Sequence, residues 1–410
     1  MRGIDTGLVV TTSHHLSAQQ HDRLDRATAG LDGPVGAVDL AAFDANADDL
    51  VRRAAGTPIR VASKSVRCRA LLDRVLAREG YEGILAFTLS EALWLAETHY
   101  DIVIGYPTAE RAALAALAGD EEKLARITLM VDSAEGLSLL KSAIGTPAAP
   151  VRVALDLDAA LVIARRIWLG PRRSPVRTPE DAVALARLVT EDPDFELVGL
   201  MAYEGQVAGL VDRPLGGNPP APVIRRMKRA SVAEITERRG KVVAAVRSLA
   251  DLEFVNGGGT GSIESTRADP SVTEIAAGSG LYGPTLFDRY DGFTPHPAAY
   301  FGLSVVRRPA PGIVTVAGGG WIASGPVGPD RAPSPTYPFG LDYVGTEGAG
   351  EVQTPLRGAA ADTLAIGDKV WFRHAKAGEV CERLDSLHLV ENDAIITVAP
   401  TYRGEGKTFM

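Results

Sequence analysis

Short unbroken apolar runs, each closed by turn residues and followed by a stretch of helical period, recur through the first two thirds of this chain. No other feature constrains the fold more. The runs fall at 35–40, 58–62, 83–87, 101–105, 127–131, 151–155, 197–201 and 252–255. Helical patterns fill 67–79, 90–98 (with Ser90 placed to cap its N-terminus) and 133–142. A strand that is apolar on both faces belongs in a parallel sheet covered on both sides by helices. Eight such units in about 260 residues fit a closed (β/α)8 TIM barrel. An open doubly wound sheet is the alternative.

The texture changes near Asp291. Gly and Pro become dense, helical periods vanish, and short strand patterns appear at 305–308, 313–317, 369–372, 387–390 and 394–398. This is the pattern of an all-β domain. With 410 residues, 46% of them apolar, the chain can build both cores. The expected division is a segment 1–30 packing on the β domain, a barrel 31–292 and a β domain 293–410.

Charge and composition exclude several classes. A net charge of -8 argues against nucleic-acid binding, which favours a basic face. No run approaches the roughly 20 apolar residues of a membrane span, and the residues after Met1 reach Asp5 without the apolar core of a secretory leader. Two cysteines, Cys68 and Cys381, give no disulfide framework and suit a cytoplasmic protein.

Three segments carry chemistry. Lys64, in Ala62-Ser63-Lys64-Ser65, lies just past a buried run, at the end of the strand where barrels place their active sites. Desolvated there, its amine would be freed as a nucleophile toward an aldehyde; it also reads as a solvated lysine at a strand end. Asn256-Gly257-Gly258-Gly259-Thr260-Gly261-Ser262 can crowd backbone N–H groups around an anion, or be a flexible turn. Ala277-Gly278-Ser279-Gly280 follows about 20 residues later. Two such turns on neighbouring strand ends can hold one phosphate between them. Asp156 and Asp158 end a barrel run, where they can line the pocket or cap the next segment. His296 and His388 read as structural, and His14 and His15 as exposed near the N-terminus.

From about residue 35 to 403 the sequence resembles the fold-type III pyridoxal-phosphate (PLP) enzymes, which are alanine-racemase-like in fold, and within them the D-threonine aldolase and D-serine dehydratase group. Lys64 matches the Schiff-base lysine. Gly258, Gly259, Thr260 and Gly261 match the phosphate loop, with Gly278 and Ser279 as its second contact. Met201-Ala202-Tyr203-Glu204-Gly205 is similar to the family's Tyr-His-Gly segment, with Glu204 in place of the histidine. Arg173, or Arg172 beside it, matches the arginine that faces the pyridine nitrogen. The resemblance implies a PLP-dependent lyase acting on a D-β-hydroxy-α-amino acid, as a cytoplasmic homodimer whose subunits share active sites.

The departure from the family lies at His374-Ala375-Lys376. Relatives place a His-x-Cys or His-x-Asp pair there for a divalent metal. Here His374 is kept, but a lysine ammonium has no lone pair for a metal. Cys381 and Glu379 are the nearby replacements. Alternatively, Lys376 supplies the positive charge itself, or merely pairs with Glu379. A lysine activates a leaving hydroxide less well than a metal does, which favours retro-aldol cleavage over dehydration. Dehydration to a keto acid, racemisation, a PLP carrier without turnover and a flavin-binding barrel are the competing readings.

Overall fold

The computed structural model describes residues 18–164 and 166–409. The expectations for His14, His15 and the start of the N-terminal segment lie outside these residues. Eight strands close a parallel barrel in the order Ile59–Ala62, Tyr81–Ala86, Ile102–Ile104, Ile127–Val131, Val151–Asp156, Phe195–Ala202, Phe254–Gly257 and Glu274–Ala277. Its interior is filled by Val103, Met130, Ala154, Val198, Met201 and Phe254, so the barrel is a packed core and not a pore. Helices cover its outside. Arg60 is buried among the strands and pairs with Glu274 at 2.7 Å, which also accepts from the Asn256 amide at 2.8 Å.

The barrel is closed by a different strand from the one expected. Val35–Asp39 does not belong to it. This segment pairs antiparallel with Ala299–Ala310 and parallel with Ser386–Glu391, inside a nine-stranded sheet built mostly from the C-terminal third. All five of its residues are buried, as in a barrel strand, because helix Leu40–Ala54 and the rest of the fold cover it on both faces. The true eighth barrel strand is Glu274–Ala277, overlapping the short apolar run 272–276 that precedes the second glycine turn but lies outside the eight expected. The other sheet strands include Ile313–Ala317, Lys369–Arg373 and Ala394–Pro400, close to expectation.

Helix Ala18–Ala27 packs Leu24 on Val35, Ala37, Tyr300, Trp371 and Val390 of this sheet. Asp25 accepts from the Trp371 indole at 3.1 Å and Asp22 from the Tyr337 hydroxyl at 2.6 Å. The helix after the second barrel strand runs Leu89–Leu95 and is capped by Thr88, not by Ser90. Ser133, read from the sequence as the start of a helical stretch, caps Ala134–Ile144. Among the described residues no helix is long and apolar enough to cross a membrane.

Candidate active site

Lys64 sits in a tight turn, Ser63–Ser65, that leaves the end of the first barrel strand. Both domains fix the backbone of this turn. The Ser63 hydroxyl donates to the Leu85 carbonyl at 3.1 Å, Arg67 Nε to the Lys64 carbonyl at 3.0 Å, and the Tyr282 hydroxyl to the Val66 carbonyl at 2.8 Å. From the β domain, Gly378 lies against the Lys64 carbonyl with φ 86°, a conformation and an approach that leave no room for a side chain.

The side chain is free by contrast. Lys64 is exposed, and its Nζ donates to the Tyr106 hydroxyl at 2.7 Å; no carboxylate pairs with it among the described residues. The burial expected from the sequence is therefore absent, because the strand ends before the lysine and lifts it out of the apolar wall. Burial opposes ionisation of the Tyr106 phenol. The Lys64 charge and hydrogen bond, with Arg173, outweigh it and bring the phenol below its ordinary value.

Arg173 lies 5.8 Å from the centre of the Tyr106 ring and 5.4 Å from that of Tyr203. It lines a small cavity at the barrel mouth with Gly105, Asp156, Asp158, Met201 and Tyr203. Arg172 instead lies over Trp168 at 5.2 Å, on the hairpin Leu161–Ile163/Ile167–Leu169, so Arg173 is the one of the pair that faces the cavity.

The two glycine turns follow the seventh and eighth strands and are laced together. The Gly280 amide and the Ser279 hydroxyl donate to Thr260 Oγ1 at 3.1 and 3.3 Å. Gly278 packs on the Ala62 carbonyl, beside the Lys64 turn. Gly258 has φ 77°, which favours glycine. Its amide donates to Glu204 Oε2 at 2.9 Å, and the Gly259 amide to Ser262 Oγ at 3.2 Å. The amides of Thr260 and Gly261 have no partner among the described residues and remain for an anion.

Glu204 is the residue whose purpose the sequence hid. It is buried, accepts from the Thr266 hydroxyl at 2.7 Å as well as from Gly258, and lies 3.5 Å from Arg239, which pairs with buried Asp269 at 2.9 Å. A chain of alternating charge thus braces the first turn from behind. Its three members come from three distant segments, so no local pattern announces it. Tyr106 was also missed, because Gly105-Tyr106-Pro107 reads as a plain turn.

His374 and Lys376 follow strand Lys369–Arg373 and line a second cavity of about 340 Å³ with Arg67, Trp321, Ser324 and Glu379. Lys376 Nζ donates to the Ser324 carbonyl at 3.2 Å and hydroxyl at 2.9 Å, while Glu379 accepts from the Ser324 amide at 2.9 Å. The two side chains thus share Ser324 in place of the direct Lys376–Glu379 pair considered from the sequence. Burial, with the nearby Lys64 and Arg331 charges, lowers the Lys376 amine against the pull of Glu379. His374 is buried beside Arg373, and its ring nitrogens make no well-formed hydrogen bond. Burial holds it neutral, with its pKa lowered to about 3.

These residues do not fit a divalent metal. Cys381 is buried, its thiol pushed up by burial and donating to the Val66 carbonyl at 3.4 Å. Glu379 is committed to Ser324. Among the described residues no group of three His, Cys, Asp or Glu is placed to hold an ion. The His374–Cys381 pairing weighed from the sequence fails because Cys381 points into the core. The PLP residues do fit: an amine free of carboxylates, a cation over the mouth, and unpaired amides on two joined turns.

Residues 38–285 match the family described as alanine racemase, N-terminal domain, so the chain belongs to that family, the fold-type III PLP enzymes. It is, more particularly, a homologue of D-threonine aldolase: the enzyme of that name from Arthrobacter sp is 31% identical over 313 residues, 74% of each chain. Two solved structures share the whole architecture. D-threonine aldolase from Filomicrobium marinum has a TM-score of 0.74 at 22% identity, covering 91% of this chain and 96% of that one. D-threo-3-hydroxyaspartate dehydratase from Delftia sp. HT23 has a TM-score of 0.65 at 18% identity, covering 92% and 98%.

Proposed function

We propose that this chain is a PLP-dependent lyase that cleaves the Cα–Cβ bond of a D-β-hydroxy-α-amino acid, with Lys64 as the lysine that holds the cofactor. The observation that carries this reading is the Lys64 amine, free of any carboxylate, set beside Arg173 and two joined turns with unpaired amides. Thr260, Gly261, Gly278 and Ser279 would seat the phosphate, with Gly258 and Gly259 shaping the turn. Arg173 and Tyr203 would line the ring.

PLP, when bound, supplies a sink for the electron pair left at Cα. The protein must do the rest. A base takes the β-hydroxyl proton, the Cα–Cβ bond breaks, Cβ leaves as an aldehyde, and a proton delivered to Cα completes the smaller amino acid. Lys376 is better suited as that base than His374. Its amine is lowered from the ordinary lysine value, chiefly by burial, whereas His374, at about 3, lies too far below neutrality to accept a proton efficiently. Lys64 would be the group that delivers the proton to Cα. Lys376 stands where the resemblance implies a metal ion, and as a base it would assist a departing hydroxide poorly. This favours cleavage over dehydration.

Incubation with D-threonine, D-serine and their L forms tests the reading. Glycine and acetaldehyde from D-threonine, with chelator making no difference, are expected. Keto acid and ammonia would assign dehydration instead. We further place the protein in the cytoplasm, where its buried free thiols Cys68 and Cys381 stay reduced, and as a homodimer over the open barrel mouth. Light scattering should then give twice the 43.2 kDa chain mass.

A further inference from the structure

We propose that Asp156 is a positioning residue that sets how strongly the Arg173 guanidinium acts on a group bound in the barrel mouth, an inference that rests on the PLP reading above. Asp156 ends the fifth barrel strand. Two residues on, Asp158 shows what a committed carboxylate does here: it accepts from the Ala160 amide at 2.9 Å and pairs with Arg177 at 2.6 Å. Asp156 does neither. Its backbone carbonyl takes the Ser174 hydroxyl at 2.6 Å, which ties the strand end to the Arg173–Ser174 segment. Its buried carboxyl has no hydrogen-bond partner among the described residues and faces the cavity it shares with Arg173 and Tyr203.

The charges around it come from every neighbouring strand end. Asp132 lies at the end of the fourth strand, Asp158 on its own, and Arg173 in the following loop. Tyr106, after the third strand, feels the Asp156 charge and holds Lys64. Tyr203, after the sixth, stays neutral because burial raises its phenol. Burial, then Asp132, push the Asp156 carboxyl up to about 7, with Arg173 pulling the other way. Below that pH, Arg173 stands over the cavity with a neutral neighbour. Above it, a carboxylate beside the guanidinium offsets its charge.

The bound cofactor reports this directly, through its visible absorption band. In wild-type holoenzyme titrated from about pH 5.5 to 8.5, the band should show an inflection near 7. Asp156→Asn should abolish it, and Arg173→Gln should abolish it too, because Asp156 reaches the bound group through the guanidinium. A band that titrates identically in wild type and D156N overturns the proposal. Should D156N fail to fold, as judged by its melting, an inflection that persists in R173Q overturns it equally. If PLP gives the wild-type protein no visible band at all, the PLP reading itself fails. That outcome is distinct from a band that forms but ignores Asp156.

Discussion

Lys64 and Lys376 carry the same ammonium group but are held by opposite means. Lys64 stands on a backbone clamped by Arg67, Tyr282 and Gly378 while its side chain is exposed. Lys376 is partly buried and tethered by Ser324. Replacing Lys376 with Met should therefore leave cofactor binding intact and slow cleavage by about 10²–10⁴-fold, the usual worth of a positioned acid or base; steady-state rates beside the visible band of the holoenzyme read both. An unchanged rate would remove Lys376 from the reaction. Glu204 acts one step further from the chemistry. Glu204→Ala strips the acceptor from Gly258 and Thr266 and leaves buried Arg239 with one partner fewer. A buried donor left unpaired costs about 1–3 kcal/mol. The variant should bind PLP roughly tenfold or more weakly in a fluorescence titration, the equivalent of about 1.4 kcal/mol.

At the scale of elements, the barrel ends and the turns that cross between domains decide what the site can do. Gly378 is the clearest case: its φ of 86° and its contact with the Lys64 carbonyl both forbid a Cβ. Gly378→Ala should cost about 1–2 kcal/mol from backbone conformation alone and displace the Lys64 turn, lowering both the melting temperature and the PLP affinity. A variant with wild-type values would show that the two segments do not bear on each other. Element order was largely legible because buried strands and amphipathic helices leave different periods in the chain. It failed where burial and topology disagree. Residues 35–39 are as apolar as a barrel strand yet pair with Ala299–Ala310, and pairing partners more than 260 positions apart leave no local signature. The glycine turns were legible because glycine is needed where a backbone turns tightly around an anion. Their support was not, since Glu204, Arg239 and Asp269 meet only after folding.

Across the whole molecule, two buried acids oppose folding at neutral pH. Asp156 and Glu91 are both pushed up to about 7, chiefly by burial; Glu91 accepts from the Phe87 amide at 2.7 Å and the Tyr402 hydroxyl at 2.9 Å, which pull it back only in part. A carboxyl whose folded pKa lies above its unfolded value of about 4 binds its proton more tightly when folded. Stability from these groups is therefore full below pH 4 and falls as pH rises to 7. The melting temperature of the apoprotein Asp156→Asn/Glu91→Gln double variant, relative to wild type, should climb between pH 4.5 and 7 and then level off; a gap independent of pH would show that neither acid is raised. The covalent link itself is tested most directly by reducing the PLP-loaded protein with borohydride, digesting it and mapping the modified peptide by mass spectrometry. The phosphopyridoxyl group is expected on Lys64 alone. Its appearance on Lys376 or another lysine, or on none, would mean that this chain does not use the barrel mouth as described.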